Sequence, residues 1–128
     1  MKQTDVQRIM HMKRYCESVA RSIARFGNSY EAFDADDDYF NAVSMCIYQI
    51  GELSIGLTDE FKAQTAAQME WHKVRGMRNA FAHRYNSMDK ITIWQTATES
   101  IPALLAFCNQ TISENKEAFT PPPRPKDL

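Results

Sequence analysis

Residues 9–26, "IMHMKRYCESVARSIARF", define the first structural element of the chain. Their apolar side chains recur at intervals of three and four residues: Ile9, Met12, Cys16, Val19, Ile23 and Phe26. This spacing predicts a long α-helix with one apolar stripe that packs into a core. Gly27 and Asn28 follow at once, and residues of these types commonly end a helix.

A second apolar stripe predicts a second long helix. Its members are Phe40, Val43, Ile47, Ile50 and Leu57, and "DADDD" at 34–38 precedes them. Aspartates in that place favour capping of the free N–H groups at the start of a helix. The run lacks the glycine and the distant glutamate of a calcium-binding loop. A shorter helix is predicted between 59 and 69, with Thr58 near its start.

The last third of the chain predicts two further helices and a tail. One begins at about Trp71, and the other carries the stripe Trp94, Ala97, Ile101, Leu104, Cys108 and Ile112. Pro102 lies inside that last stripe and predicts a kink or break a few residues earlier, because proline has no N–H to donate. We expect an all-α fold, a bundle of four to five antiparallel helices over residues 1–117. A disordered, flexible, proline-rich tail is predicted over 118–128.

Composition excludes several classes of protein. The chain has 128 residues, enough for one domain, and a formal net charge of −1, so nothing global marks a nucleic-acid or membrane binder. No apolar run approaches the roughly 18 residues of a membrane span, and the first residues do not resemble a secretory signal. The three widely spaced cysteines predict buried, reduced thiols in a cytoplasmic protein, and neither a disulfide framework nor a metal site.

Residues 75–86, "RGMRNAFAHRYN", contain the pattern R-N-x-x-x-H-x-Y, formed by Arg78, Asn79, His83 and Tyr85. On a regular helix Asn79 and His83 lie nearly on one face, whereas Arg78 and His83 are about 140° apart. Arg78 and Tyr85 are seven residues apart and share a stripe. A joint action of Arg78 and His83 therefore requires that the helix end near the motif or that a second copy of the chain supply a partner.

Structural roles are the alternatives for these residues. Arg78 could pair with Glu52 only to hold the fold, and Glu52 could instead face solvent. His83 could be a satisfied histidine at a helix end, and Tyr85 an amphipathic cap on the core. The remaining histidines and tryptophans and several methionines have simple interpretations: His11 and His72 on the surface, Trp71 and Trp94 as packing anchors, and Met10, Met12 and Met45 as core or interface fillers.

Three segments, one of which contains the motif, resemble the HEPN ribonucleases, and among them the HepT toxins of HepT/MntA toxin–antitoxin systems. The similar segments are "WHKVRGMRNAFAHRY" at 71–85, "IYQIGELS" at 47–54 and "DKITIWQT" at 89–96. Together with the order of the helices, the resemblance covers about residues 5–115. It implies a HEPN-like bundle and a homodimer in which two motifs meet across a two-fold axis.

The resemblance also implies an activity: an endoribonuclease that uses no metal and no cofactor, in which the ribose 2′-OH attacks its neighbouring phosphate. Arg78 and His83 are the implied catalytic residues, since an arginine can bind phosphate oxygens and an imidazole can transfer protons near neutral pH. Asn79 and Glu52 are expected to support them. Lys73, Arg75 and Arg84 of two subunits would line a basic groove for RNA.

A partner is implied as well. In the HepT family the tyrosine of this motif, here Tyr85, accepts AMP from the MntA nucleotidyltransferase, which acts as antitoxin. The added phosphate would block RNA by bulk and by repulsion. Two alternatives stay open: a non-catalytic helical module that binds a nucleotide or a nucleotidyltransferase, and a plain structural bundle.

Overall fold

A computed structural model describes residues 1–121, apart from the side chain of Asn86, and it is helical without a strand in that range. The helices are α1 Gln3–Phe26, α2 Tyr30–Ala35, α3 Asp37–Ile55, α4 Asp59–Gln64, α5 Trp71–Arg84, α6 Lys90–Gln95, α7 Ile101–Glu114 and α8 Lys116–Phe119. The prediction of an all-α fold is therefore confirmed. Helices α1 and α3 correspond to the first two predicted stripes, α6 and α7 together to the last, and α5 to the helix predicted from about Trp71.

The helix ends follow local signals in the sequence. Gly27 has a φ of 117°, and its N–H donates to the Ile23 carbonyl at 3.0 Å, which closes α1. Asp36 caps α3, because its Oδ1 accepts from the N–H groups of Asp38 and Tyr39 at 2.9 and 3.3 Å. Thr58 caps α4 by accepting from the Phe61 N–H at 3.2 Å. One aspartate of the "DADDD" run, Asp36, thus caps the second long helix as predicted, while residues 34–35 belong to α2 and residues 37–38 to the first turn of α3.

Helix α2 was not predicted. It has six residues, too few for an apolar period to show in the sequence. Ser29 caps it by accepting from the Ala32 N–H at 3.1 Å. The short helix buries Phe33, whose ring packs against Tyr39 and Trp94 with centroids 5.2 and 5.3 Å apart. A helix of this length is marginal by itself, so its stability comes from the aromatic packing.

Of the kink or break predicted before Pro102, the structure shows a local irregularity of the helix and no break. A single π turn, Thr96–Ser100, joins α6 to α7, and Pro102 stands in the first turn of α7. Since proline has no N–H, the carbonyl four residues earlier lacks its usual donor, and the ladder widens there. The chain continues as helix on both sides, so Pro102 shifts the hydrogen-bond pattern of the helix without ending the helix.

The core lies where α3 packs against both α1 and α5, while α1 also packs against α7. Its fully buried members come from every predicted stripe and include Ile9, Met12, Cys16, Val19, Val43, Ile47, Ile50, Ile93, Leu104 and Cys108. The ends of the stripes, such as Ile23, Phe26, Phe40 and Trp94, are only partly buried. The long central helix α3 thus lies between the first helix and the helix that carries the motif.

Single residues depart in part from the expectations. Met10 and Met45 are 45% and 58% exposed, so of the two roles expected of them, core filler and interface filler, the structure rules out the first. Cys46 is half-buried, whereas Cys16 and Cys108 are buried as predicted, and all three are free thiols. Burial raises the pKa of the Cys108 thiol to about 12.

The predicted tail, 118–128, falls mostly on residues 122–128, which lie outside the described residues. Helix α8 ends at Phe119, two residues beyond the predicted end of the helical domain, and the division at 117 and 118 remains a prediction. Between residues 1 and 121, no helix is both long and apolar enough to cross a membrane.

Candidate active site

Helix α5 carries the motif. It begins at Trp71, as predicted, and runs without interruption to Arg84, after which Tyr85 starts one turn of 3-10 helix. Arg78 and His83 therefore stand on one regular helix, about 7.5 Å apart along its axis and about 140° apart around it. The helix does end near the motif, but only after His83, so its end does not bring Arg78 and His83 together. The other predicted solution, a second copy that supplies the missing partner, remains a prediction.

Helices α3 and α5 approach each other closely at Gly51 and Arg78. A Cβ added at Gly51 would collide with the Arg78 side chain and lie 3.1 Å from its Cα. Glycine in the middle of a helix costs about 1 kcal/mol relative to alanine, so its presence indicates a close contact with a neighbouring backbone. Gly51 fixes the distance between the two helices at the position of the motif arginine.

Arg78 is held by two oxygens. Its Nε donates to Glu52 Oε1 in an ion pair, and its Nη1 donates to Asn79 Oδ1 at 3.2 Å. The hydrogen bond to Arg78 lowers the pKa of the Glu52 carboxyl, and the same bond raises the pKa of the guanidinium. Of the two interpretations of Glu52, the structure shows the pairing. A guanidinium has five N–H donors, so three stay available for another ligand.

His83 points away from this ion pair. It is exposed, and no hydrogen bond or ion pair joins its ring to any other side chain or carbonyl in the described part of the chain. It therefore differs from a satisfied histidine at a helix end. Asn79, one turn earlier, is exposed on nearly the same face.

Tyr85 lies on the side of α5 that faces α3, as its spacing from Arg78 predicted. Its hydroxyl donates to Asn41 Oδ1 at 2.9 Å, and its ring packs at 6.0 Å from Phe40 and 6.1 Å from Phe81. The residue is still 42% exposed. The phenol oxygen is thus reachable from solvent, which a role as acceptor of a group requires.

Sequence reasoning missed Asn41. Asn41, Met45, Tyr48 and Glu52 follow one another at intervals of four, three and four residues, so they form a second stripe on α3 beside the core stripe. Glu52 meets Arg78 at one end of this stripe, and Asn41 meets Tyr85 at the other. Because α3 and α5 run antiparallel, a residue earlier on α3 than Glu52 faces a residue after Arg78. The pairing of Glu52 with Arg78 therefore indicates the pairing of Asn41 with Tyr85.

Basic residues surround the exposed face of α5. Lys73 pairs with Glu70 at 3.1 Å, whereas the guanidinium groups of Arg75 and Arg84 are exposed and bond to nothing within residues 1–121. Gly76 leaves open space on this face, since a Cβ added there would meet nothing within 4 Å. His72 is exposed, as predicted. Over the described residues no three His, Cys, Asp or Glu side chains come together as a metal site would require.

Comparison with known proteins identifies the family of the chain. The profile of the family described as "Ribonuclease HepT-like" matches residues 12–111, which include α3, α5 and the whole motif. A protein of Methanocaldococcus jannaschii named "Putative RNase MJ1380" is 26% identical over 101 residues, which are 72% of this chain and 92% of that protein. No solved structure gave a significant match. The match of the family profile over most of the chain shows that this protein belongs to the HepT-like ribonuclease family.

Proposed function

We propose that the protein is a metal-independent endoribonuclease, the toxin of a type VII-like toxin–antitoxin pair, which acts as a homodimer. Membership of the HepT-like ribonuclease family supports ribonuclease activity and an RNA substrate. The observation that supports a homodimer is the divergence of Arg78 and His83, which lie about 140° apart around one helix. Arg78 is bound towards α3 by Glu52, whereas His83 projects from the exposed face.

A two-fold dimer solves this divergence. If the exposed face of α5 meets its copy, His83 of one subunit can reach a phosphate that Arg78 of the other binds. The open space at Gly76 suits the close approach of a second helix. Arg75 and Arg84, doubled by symmetry, give the groove a positive charge although the chain as a whole carries −1.

The chemistry needs only side chains of the motif. A neutral imidazole of His83 takes the proton of the ribose 2′-OH as O2′ forms its bond to phosphorus. The bond from phosphorus to O5′ breaks, and the imidazole of His83, now protonated, gives its proton to that oxygen. The products are a 2′,3′-cyclic phosphate and a 5′-hydroxyl. The three free donors of Arg78 stabilise the negative charge of the transition state, with Glu52 and Asn79 fixing the guanidinium.

The AMP switch is the second part of the proposal. The phenol oxygen of Tyr85 is partly exposed and lies seven residues after Arg78, on the same side of α5. AMP attached there by an MntA-like nucleotidyltransferase would end the donation to Asn41 and place a negative phosphate near the cleft. RNA would then be excluded by occupancy and by repulsion.

Activity on a fluorescent RNA, with EDTA present throughout, tests the catalytic proposal. We expect His83→Ala to abolish cleavage while the matched variant His11→Ala, an exposed histidine on α1, cleaves like the wild type. Unchanged cleavage by His83→Ala, or cleavage that EDTA stops, would overturn it.

A mixture of two inactive variants tests whether the cleft is shared. Arg78→Ala and His83→Ala homodimers are each expected to be inactive. If the cleft combines residues of both subunits, the mixed dimer keeps one Arg78 and one His83 that face each other across the two-fold axis, and part of the activity returns on co-expression. A mixture as inactive as its components shows that Arg78 and His83 act within one chain.

A further inference from the structure

A small pocket beside the motif has no role in the function proposed above. It lies between α3 and the end of α5, holds about 250 Å³ and is lined by Asn41, Ser44, Met45, Tyr48, Phe81 and Tyr85. Pockets for drug-sized ligands hold roughly 300–1,000 Å³, so this one suits a single planar group. Tyr85 forms part of its wall, which joins the pocket to the motif.

The lining indicates the chemical class of the ligand. None of its described members carries a charge, so the pocket offers neither the cations that bind phosphate nor the carboxylates that bind a metal ion. It offers aromatic rings from Tyr48, Phe81 and Tyr85 together with two polar side chains. Unstacked RNA bases are recognised in this way, by stacking on aromatic side chains and by hydrogen bonds to their edges.

The two polar side chains have free bonding capacity. Ser44 is 1% exposed, and its hydroxyl finds no hydrogen-bond partner among the residues that the structure describes. A buried polar group without a partner destabilises the fold, so the site carries a cost that a ligand would relieve. Asn41 Oδ1 accepts from the Tyr85 hydroxyl, which orients the amide and leaves its two N–H donors unused by that bond.

We infer that this pocket binds one base of the RNA next to the cleaved bond, and that Asn41 and Ser44 determine which base is preferred. The inference rests on the proposed ribonuclease function. Tyr85 then has two roles, since its ring forms the wall of the base pocket and its phenol oxygen is the point of modification. Met45, 58% exposed at the rim, offers a flexible apolar surface to the entering base.

The test uses RNA oligonucleotides that are identical except for the nucleotide beside one cleavage site, which is each of the four bases or an abasic residue. We expect the wild type to prefer one base by about tenfold in kcat/KM. Asn41→Ala and Ser44→Ala should each reduce that preference to about twofold, mainly through KM, and leave cleavage of the abasic substrate unchanged. The matched changes Asn109→Ala and Ser113→Ala, both exposed on α7, should preserve the preference.

Stability and oligomeric state, measured on the same variants, separate the alternatives. Ser44→Ala removes an unpaired buried hydroxyl, so it should unfold at an equal or higher urea concentration while losing base preference. An unchanged base preference in both variants overturns the base pocket and leaves the ribonuclease intact. Weakened dimerisation with unchanged preference shows instead that a second copy fills the pocket. If the wild type cleaves no RNA, the proposed function and this inference both fail.

Discussion

Gly51 of α3 leaves the space that the side chain of Arg78 on α5 occupies. A methyl group on Gly51 would collide with that side chain and lie 3.1 Å from the Arg78 Cα, a backbone atom that cannot move without the helix. The next residue, Glu52, forms the ion pair with the same arginine. Two adjacent residues of α3 thus set both the distance and the orientation of Arg78.

Gly51→Ala is therefore expected to destabilise the protein and to reduce cleavage. Alanine improves helix propensity by about 1 kcal/mol, but overpacking costs about 1–3 kcal/mol, so the net loss should lie between about 0 and 2 kcal/mol, towards the upper end because the Arg78 Cα is a backbone atom. Urea unfolding measures it. Gly76→Ala is the matched control, since nothing lies within 4 Å of its added Cβ and only the gain in propensity applies. Equal effects of the two substitutions would show that α3 and α5 do not approach as closely as the structure indicates.

The Arg78–Glu52 pair predicts a pH dependence of stability. The pKa of Glu52 is lowered by the hydrogen bond to Arg78. A carboxyl with a lowered pKa stabilises the fold above its unfolded pKa of about 4.3 and loses that contribution as the pH falls through the folded value. Wild type should exceed Glu52→Gln in urea midpoint at pH 7, and the difference should shrink as the pH falls below about 4.3 and vanish below the folded pKa of Glu52.

A control distinguishes the pair from the general effect of one negative charge. Glu114 is exposed on α7, away from Arg78, and Glu114→Gln should give no comparable difference between the two pH values. Glu52→Gln should also lower kcat by loosening the guanidinium. If kcat falls while stability does not depend on pH, Glu52 acts on the reaction without stabilising the fold.

The salt dependence of RNA binding tests the basic face of α5. For single strands, the slope of log K against log salt falls by about 0.7 for each phosphate contact removed. We expect Arg75→Ala and Arg84→Ala each to reduce the slope by about that amount on a non-cleavable 2′-O-methyl RNA. Lys73→Ala should have a smaller effect, because Glu70 already neutralises part of its charge.

Arg14→Ala serves as the control for this measurement. Arg14 is exposed on α1, which packs against α3 and α7. A reduced slope for Arg14→Ala with none for Arg75→Ala or Arg84→Ala would place the RNA on α1 and contradict the proposed groove.

The long helices could be predicted because their signals are local. Residues within a few positions of one another determine the stripe from Ile9 to Phe26, the cap at Asp36 and the irregularity before Pro102. The spacing of seven residues also predicted that Arg78 and Tyr85 lie on the same side of the helix. Helix α2 was missed because six residues show no period, and it is stabilised by the packing of Phe33 on distant rings.

The rest of the site depends on contacts between distant parts of the sequence. Nothing near Gly51 shows that Arg78 lies against it, and nothing near Asn41 shows that the Tyr85 hydroxyl reaches it. The exposure of Met45 has the same origin, because a methionine beside an apolar stripe becomes core or surface according to which helix packs there. A single sequence gives the faces of each helix and leaves open which faces meet.

Tyr85→Phe tests the AMP switch. The substitution removes one partly exposed hydrogen bond, so stability should fall by only about 0.5–1.5 kcal/mol while the phenol oxygen that accepts AMP is lost. The protein is expressed alone and with an MntA-like nucleotidyltransferase, and intact mass and growth are followed in the same cells. Wild type should gain one or more AMP groups and lose toxicity, whereas Tyr85→Phe should gain none and stay toxic.

Tyr30→Phe, at the start of α2, should be modified like the wild type. Added mass on Tyr85→Phe would move the acceptor to another residue. Toxicity that requires His83 but never coincides with added mass on the wild type would leave the ribonuclease and discard the switch.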